Sequence, residues 1–235
     1  MRGVVLAGGS GSRLAPLTRT VNKHLLPVGR QPMIYYPVQA LVSAGVTDIL
    51  VVTGVEHIGD IVSQLRSGEE HGCRFTYRVQ ERPLGIADAL SLAEDFARGE
   101  PVVVVLGDNI FDAPLAPHLA AFTASGAAAQ VHLHRVAAPQ RFGCARFEGR
   151  RLVEIIEKPT DPPSDLAVTG IYIFDAQVYG FITALTPSQR GELEISDINN
   201  RYLAQGGLRH AELTGYWTDA GTHASLQRAN RLVAE

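Results

Sequence analysis

Lysine is scarce in this chain, where two lysines stand against nineteen arginines among 235 residues. An exposed charge can be of either type at little cost, but an ammonium is a compact point charge and a guanidinium is a wide planar fork. The two lysines, Lys23 and Lys158, lie within the dense segments NKHLLP and EKP. A site that must place one charge on one phosphate oxygen can require lysine. Both positions are therefore candidates for anion binding, with chance retention as the alternative.

Other scarcities exclude whole classes of protein. Cys73 and Cys144 lie far apart without metal-ligand spacing, so we expect reduced thiols in a cytoplasmic protein. The net charge is −3 without a basic block, which argues against nucleic acid and acidic membranes as partners. The apolar runs are too short to span a bilayer, and the strand pattern at the first residues leaves no room for a signal peptide. His132 and His134 lack further ligands, and we interpret them as structural.

The first half of the chain alternates short apolar runs with helical stretches. Strands are predicted at Val4–Leu6, Ile49–Thr53, Phe75–Val79 and Val102–Leu106, and helices at Met33–Ala44, Ile58–Arg66 and Ile86–Ala97. This alternation is typical of βαβ units. The predicted class is therefore α/β, with a Rossmann-like, mostly parallel central sheet and helices on both faces.

The pattern changes after about Gly126. Strand-like segments then follow one another at Ala129–Val136, Cys144–Phe147, Leu152–Glu157 and Ala167–Phe174, which predicts an inserted mixed or antiparallel sheet. The remaining predicted elements are helices at Ala176–Leu185 and Ser196–Ala204, a strand pair at Leu208–Leu213 and Tyr216–Trp217, and a helix at Thr222–Ala234 capped by Thr222. The length suits a single domain, residues 1–235.

A glycine-rich segment, LAGGSGSRL, follows the first predicted strand directly. Its three glycines free backbone N–H groups to close on an anion, and Arg13 adds charge; a flexible turn is the alternative. A dinucleotide fingerprint would need a third glycine where Leu14 stands, and no Gly-Lys-Ser/Thr follows for a Walker A loop. The segment therefore predicts a phosphate cradle of another kind. Lys23, ten residues beyond Arg13, could close over the same triphosphate.

Two carboxylates stand where a sheet edge is expected. Asp108 ends the run VVVVLGD, and Asp219 precedes the last predicted helix. Ligands of open α/β sheets bind outside the carboxyl ends of the strands, and two carboxylates with phosphates form a normal Mg²⁺ environment. A strand-end cap and a helix-capping acid are the alternatives. Gln80, whose amide can pair with a base edge, and Gly85 follow the third strand.

In this order the motifs resemble those of the sugar-1-phosphate nucleotidyltransferases, and among them the short-form glucose-1-phosphate thymidylyltransferases. The resemblance covers nearly the whole chain and rests on LAGGSGSRLAPLT, NKHLLPV, PMIYYP, LGDNIF, EKP, VTGIYIFD, RGELEISDIN and WTDAGTH. It implies transfer of a thymidylyl group from dTTP to glucose-1-phosphate, with Mg²⁺ as cofactor and a dimer or tetramer as the assembly. Residues 1–126 would mainly bind the nucleotide, and residues 127–235 the sugar.

The resemblance also implies roles for individual residues. Catalysis would rest on Arg13, Lys23, Asp108, Lys158 and Asp219, with Asp108 and Asp219 holding the metal. The nucleotide would be bound by Leu6, Gly8, Gly9, Gly11, Arg13, Gln80, Gly85 and Asp108, where Gln80 and Gly85 read the pyrimidine. The sugar phosphate would be bound by Asn109, Gly143, Glu157, Lys158, Val168, Tyr172 and Arg190.

Three residues depart from the family pattern: His24 and Asp88 stand where glutamine is common, and Phe142 stands where longer relatives have tyrosine. These departures put sugar selectivity in doubt. Longer relatives also carry a helical extension after the segment of Asp219, so we expect feedback inhibition through a separate site to be weak or absent. Three rival functions stay open at this point: the same chemistry with UTP or another hexose phosphate, a nicotinamide-dependent oxidoreductase, and a non-catalytic nucleotide-sugar sensor.

Overall fold

The computed structural model describes residues 1–234, which contain thirteen strands and eight α-helices. The strands are β1 (Arg2–Ala7), β2 (Pro27–Val28), β3 (Gln31–Pro32), β4 (Asp48–Gly54), β5 (Arg74–Gln80), β6 (Val102–Leu106), β7 (Asn109–Phe111), β8 (Ala129–Arg135), β9 (Gly143–Glu148), β10 (Arg151–Glu157), β11 (Leu166–Phe174), β12 (Leu208–Glu212) and β13 (Trp217–Asp219). The helices are α1 (Tyr35–Ser43), α2 (Ile58–Leu65), α3 (Ile86–Ser91), α4 (Glu94–Ala97), α5 (Ala116–Ser125), α6 (Gln177–Thr183), α7 (Ile195–Ala204) and α8 (His223–Leu232).

The centre of the sheet is parallel, as predicted. Strands β6, β1, β4 and β5 lie side by side in that order, with Val4 of β1 opposite Val104 on one side and Leu50 on the other. Because helices cover both faces of a parallel sheet, its strands need apolar residues at successive positions rather than at alternate ones. The apolar runs therefore predicted β1, β4 and β6 correctly, whereas the edge strand β5 alternates apolar with polar residues and is only partly buried.

Strand β11 joins the parallel centre to the predicted mixed sheet. It pairs antiparallel with β6 and β8, and all nine of its residues are buried. Beyond it, β9 pairs with β10, and β12 runs parallel to β8. The α/β class with an antiparallel extension is thus confirmed, and one long buried strand carries the connection between the two parts.

The prediction of a final strand pair is wrong. Strand β12 extends the main sheet beside β8, whereas β13 pairs antiparallel with β7 in a separate two-stranded sheet. Two strands separated by a short turn favour a hairpin, but here each finds a partner that is remote in the sequence. The consequence is functional, because the β7–β13 pairing places Asp219 opposite Asn109, next to Asp108.

The bounds of the predicted helices differ from those in the structure. The predicted helix at Ile86–Ala97 is divided into α3 and α4, because the backbone tightens where the N–H of Ala93 bonds to the carbonyl of Leu90 at 2.9 Å. The first helix begins at Tyr35 rather than Met33. Thr222 caps α8 as predicted, in a reciprocal capping box with Ser225.

Helices pack on both faces of the sheet. One face buries side chains of α3, α6 and α7, including Tyr202, and the other buries side chains of α1, α2 and α5, including Leu41. A third, smaller cluster joins Leu14 of the glycine-rich segment to Met33 and to Ala229 of α8. Leu14 is fully buried there, so the residue that interrupts the dinucleotide fingerprint anchors the glycine-rich segment to the body of the protein.

His132 lies inside the sheet on β8. Its Nδ1 is 3.1 Å from the carbonyl oxygen of Ile171, and its Nε2 is 2.9 Å from the amide nitrogen of Gln130. Burial, followed by the nearby His118, lowers the pKa of His132 to about 3, so the ring is neutral.

No helix within residues 1–234 combines the length and apolar character that crossing a membrane requires.

A glycine on β11 offers a test of the packing between β11 and the sheet edge. A Cβ at Gly170 would stand 2.6 Å from Leu106 Cγ and 2.7 Å from Asn109 Nδ2. We expect Gly170→Ala to lower the free energy of unfolding by about 1–3 kcal/mol in urea titrations, because Asn109 is buried and Leu106 packs partly buried against the core. The control is Gly180→Ala in α6, where the new Cβ would meet no atom within 4 Å beyond its chain neighbours and the backbone of its own helix; it should gain about 0.5–1 kcal/mol. Equal stability of the two variants would contradict the packing argument.

Candidate active site

Two adjoining pockets open at the carboxyl ends of β1, β5 and β6. The glycine-loop pocket is lined by Leu6, Gly8, Gly9, Arg13, Lys23, His24, Gln80, Gly85, Asp108 and Lys158, among others. The mixed-sheet pocket is lined by Arg13, Asp108, Asn109, Arg141, Phe142, Gly143, Glu157, Lys158, Val168, Tyr172, Ser196, Trp217 and Asp219, among others. Arg13, Asp108 and Lys158 border both pockets. A ligand in one pocket would therefore meet a ligand in the other at these charges.

The structure brings most of the sequence-predicted residues together, but Gly11 and Arg190 line neither pocket. A Cβ at Gly11 would stand 2.9 Å from Thr18 Cγ2 and 3.1 Å from Lys23 Cβ, and its φ is 63°. Gly11 therefore lets the segment fold back against Lys23 rather than facing a ligand. Arg190 is held by carboxylates, with Nη2 2.7 Å from Glu194 and 3.1 Å from Glu192.

Lys23 forms an ion pair with Asp108. Its Nζ lies 2.6 Å from Asp108 Oδ2, and each side chain is only 13% exposed. Burial acts to raise the pKa of Asp108, but the charge of Lys23 prevails and holds that pKa well below its usual range. The carboxylate is therefore ionised throughout the physiological pH range.

The turn that carries Lys23 is built by its neighbours. Asn22 accepts the backbone N–H of His24 at 2.9 Å, and its side-chain oxygen also lies 2.8 Å from His24 Nδ1. Burial, followed by the charge of Lys23, lowers the pKa of His24 to about 3, so its ring is neutral. His24 thus packs beneath the site as an uncharged group and does not compete with Lys23 for Asp108.

Asp219 converges with Asp108 on one small space. A Cβ at Gly221 would stand 3.4 Å from Oδ2 of each carboxylate and from Nη2 of Arg13, so the two acids and this arginine face the same glycine. Burial and then the charge of Asp108 raise the pKa of Asp219. Within residues 1–234 no third histidine, cysteine or carboxylate completes a metal-binding group. The two acids therefore suit a cation that takes its other ligands from water or from a bound anion.

Arg141 is a site residue that the sequence reasoning missed. Its Nη2 lies 3.1 and 3.2 Å from the two carboxylate oxygens of Asp219, and its guanidinium stands 5.2 Å from the centre of the Phe142 ring. Phe142 itself packs edge-on against Trp217 at 5.2 Å. The signal was the cation directly before Phe142 and Gly143, two residues that the sequence analysis did single out.

Asn109 organises the floor of the mixed-sheet pocket. Its Oδ1 accepts the indole N–H of Trp217 at 2.7 Å and the backbone N–H of Gly170 at 3.0 Å. Its Nδ2 donates to Asp108 Oδ1 at 3.1 Å. The side chain is 1% exposed. Asn109 therefore orients Asp108 and joins three segments, and because it also lines the mixed-sheet pocket, the sugar-binding role that the resemblance implied stays a prediction.

The segment Glu157–Lys158 lines the mixed-sheet pocket. Glu157 accepts the Ser196 hydroxyl at 2.5 Å and lies 3.2 Å from Lys158 Nζ. Lys158 has a φ of 43°, a left-handed backbone that costs a non-glycine residue about 1–3 kcal/mol. The Lys158 side chain is 42% exposed, whereas the Lys23 side chain is 13% exposed. The argument that a tightly packed site requires lysine therefore applies to Lys23 and not to Lys158. The strained backbone aims the ammonium toward the junction of the pockets.

Gln80 ends β5 at the edge of the glycine-loop pocket. Its Nε2 donates to Asp88 Oδ2 at 2.7 Å and to the carbonyl of Gly85 at 3.1 Å. Asp88, which departs from the family pattern, thus lies on the glycine-loop side of the site. The expectation that this departure bears on sugar selectivity gains no support from its position.

A double-mutant cycle tests the Lys23–Asp108 pair. We expect Lys23→Met to lower the free energy of unfolding, because it leaves a buried carboxylate without its cation. In the Asp108→Asn background the same change should cost less, giving a coupling energy of about 2 kcal/mol in urea titrations. The matched control is the pair Arg66–Glu70, whose side chains are 71% and 75% exposed; its coupling should stay below about 0.5 kcal/mol. Similar couplings in the two cycles would show that Lys23 does not compensate Asp108.

Comparison with known proteins bears on this arrangement of pockets. The sequence profile of the nucleotidyl transferase family matches residues 2–235. A glucose-1-phosphate thymidylyltransferase of Neisseria meningitidis is 46% identical over 241 residues, covering 99% of this chain and 82% of that protein. A Bacillus anthracis protein provisionally assigned the same activity, solved in complex with sucrose, is 54% identical with a TM-score of 0.96, covering 100% of this chain and 96% of that one. A UDP-glucose pyrophosphorylase complexed with UDP-glucose has a TM-score of 0.87 at 24% identity, over 99% and 98% of the two chains, and shares the fold.

Proposed function

The chain belongs to the nucleotidyl transferase family, in its glucose-1-phosphate thymidylyltransferase group, and we propose that it transfers a thymidylyl group from dTTP to glucose-1-phosphate. The products would be dTDP-glucose and pyrophosphate. One observation carries the proposal: two pockets, one walled by a glycine-rich loop and one by a mixed sheet, meet at Arg13, Asp108 and Lys158. Such a junction suits a reaction between two phosphorylated substrates.

The glycine-loop pocket suits the nucleotide. Gly8 and Gly9 leave the backbone open to close approach, and Arg13 and Lys23 supply positive charge for the triphosphate. Gln80 offers a polar amide in the same pocket, which could pair with a base. The arrangement of phosphate-binding and base-binding groups along one cleft supports a nucleoside triphosphate as the first substrate.

The mixed-sheet pocket suits a sugar phosphate. Glu157, fixed by Ser196, offers a carboxylate to hydroxyl groups, while Trp217 and Phe142 supply apolar walls. Lys158 stands at the entrance to the glycine-loop pocket and would bind the phosphate of the sugar. This phosphate would then lie beside the α-phosphate of the nucleotide.

Magnesium fits the acidic residues at the junction. Asp108 and Asp219 present hard oxygen donors beside Gly221, with the Arg13 guanidinium at the same distance, and Mg²⁺ is normally held by one or two carboxylates together with substrate phosphates. The ion would neutralise phosphate charge during the reaction. Before it binds, Lys23 and Arg141 compensate the two acids; once released, these cations would be available to the phosphates.

The proposed chemistry is a single in-line displacement. An oxygen of the sugar phosphate forms a bond to the α-phosphorus of dTTP, and the bond from that phosphorus to the bridging oxygen breaks, releasing pyrophosphate. The attacking oxygen is already an anion, so the protein need not supply a general base. Catalysis then consists of positioning the two substrates and of offsetting their charge repulsion with Arg13, Lys23 and Lys158.

A pyrophosphate-release assay tests the proposal. With glucose-1-phosphate as acceptor and Mg²⁺ present, we expect turnover with dTTP to exceed turnover with CTP and GTP by at least ~100-fold, since a site built for one hydrogen-bonding edge rejects others. UTP is the informative competitor, because uracil and thymine share the edge that Gln80 would meet. Faster turnover with UTP would assign the chain to the uridylyl reaction, and release with none of the four nucleotides would refute the proposal.

The metal assignment has its own test. Asp108→Asn and Asp219→Asn should each raise the Mg²⁺ concentration required for half-maximal activity by at least ~10-fold, because each removes an anionic donor. Asp161→Asn, a change in an exposed loop, serves as the control and should leave the requirement unaltered. Thermal melting of each variant separates a metal effect from unfolding. If both variants kept the wild-type dependence on Mg²⁺, Asp108 and Asp219 would not be the metal ligands.

A further inference from the structure

We propose that Asp88 is a positioning residue that fixes the amide of Gln80 with its oxygen toward the base, and that it thereby makes the glycine-loop pocket reject cytosine. The inference rests on the proposed function in one respect, namely that this pocket receives a pyrimidine nucleotide. It concerns the contact between α3 and the end of β5, and it assigns a role to a residue that departs from the family pattern.

The orientation of the Gln80 amide follows from its partners. Both hydrogens of Nε2 have acceptors, Asp88 Oδ2 at 2.7 Å and the carbonyl oxygen of Gly85 at 3.1 Å. A carboxylate and a carbonyl can accept hydrogen bonds but cannot donate them. Turning the amide over would set its oxygen against two other oxygens. The network therefore permits one orientation only.

The platform beneath this amide is rigid. Gly85 precedes α3 with a φ of 107°, and a Cβ there would stand 2.6 Å from the carbonyl oxygen of Leu193. The backbone of Leu193 also donates to the carbonyl of Leu84 at 2.7 Å and accepts the N–H of Ala87 at 3.3 Å. The start of α3, where the negative charge of Asp88 is favourable, is thus held by the segment that leads into α7.

The free atom of Gln80 is its carbonyl oxygen. Oε1 points toward Gly8, where an added Cβ would stand 2.9 Å from it, and Gln80 and Gly8 both line the glycine-loop pocket. The residue offers this pocket an acceptor and no donor. Thymine and uracil carry a hydrogen on N3 and can donate to it, whereas cytosine has a lone pair on N3. Two acceptors would then face each other, a mismatch that weakens binding.

The carboxylate makes this selection stricter than an amide would. A glutamine at position 88, which is common in the family, can present either an oxygen or an NH₂ group to Gln80. It could therefore accept from or donate to Gln80, so that only the Gly85 carbonyl would still disfavour the turned amide. Asp88 presents oxygen alone. Because thymine and uracil are equivalent at N3, the carboxylate separates keto from amino pyrimidines and leaves the choice between dTTP and UTP to other contacts.

Binding of dUTP and dCTP tests the inference by calorimetry, without sugar phosphate. These nucleotides share the same deoxyribose and lack the 5-methyl group, so they differ only at the pyrimidine edge. We expect wild type to bind dUTP at least ~100-fold more tightly than dCTP. In Asp88→Asn, which keeps the volume but can donate to Oε1, the ratio should fall at least ~10-fold, chiefly because dCTP binds better. Asp88→Ala, which leaves Gly85 as the sole acceptor, should lower the ratio as well.

Two controls make the outcome decisive. Asp95→Asn, an exposed change in α4, should keep the wild-type ratio, and thermal melting identifies a variant that has not folded; if the asparagine variant fails, the alanine variant carries the test. An unchanged ratio in the folded variants, or a wild type that binds both nucleotides equally, would overturn the inference. Turnover of dTTP with glucose-1-phosphate is measured separately. A protein that shows the expected binding ratios without that turnover would support the role of Asp88 and refute the proposed reaction.

Discussion

A carboxylate at the end of a buried strand is the constraint on which the site depends. Asp108 follows β6, whose valines are buried on both faces, and a charge in such a place is costly unless it is paired. Lys23 provides the pairing at 2.6 Å. To bring Lys23 there, the chain after β1 must fold back over the sheet, with Gly11 allowing close approach. The phosphate-binding loop and the compensation of one acid are therefore parts of the same structural solution.

The second acid is placed by pairing between strands that are remote in the sequence. Strand β13 lies beside β7, so Asp219 comes to the same edge as Asp108 although more than a hundred residues separate them. Repulsion between the two acids is visible in the raised pKa of Asp219, to which burial contributes first and Asp108 next. Arg141 offsets part of it. The site is thus a set of mutually compensated charges, in which Lys23 and Arg141 could exchange their acidic partners for phosphate groups when a cation binds the acids.

The sequence predicted the features that have a local signal. The apolar runs at Val4–Leu6 and Val102–Leu106 marked the parallel strands, and the glycine-rich segment after the first of them marked a loop. The partner of β13 was wrongly predicted because strand pairing depends on which edges remain unpaired in three dimensions. Arg141 was missed for a related reason: its significance lies in its distance from Asp219, 78 residues away. The resemblance named Arg190 as a sugar-phosphate ligand, but it could not show that acidic neighbours already hold this arginine.

Asn109 limits what an engineer could change in this site. One side chain accepts N–H groups from Trp217 and Gly170 and donates to Asp108. Aspartate has the same shape but would add a third negative charge beside the two acids, and leucine would leave two buried donors unpaired. A library designed to broaden the range of accepted sugars is better directed at Phe142 and Val168, which line the mixed-sheet pocket with apolar surface. The range of accepted sugars can then be changed while the Asn109 amide, which is hydrogen-bonded to three segments, is kept.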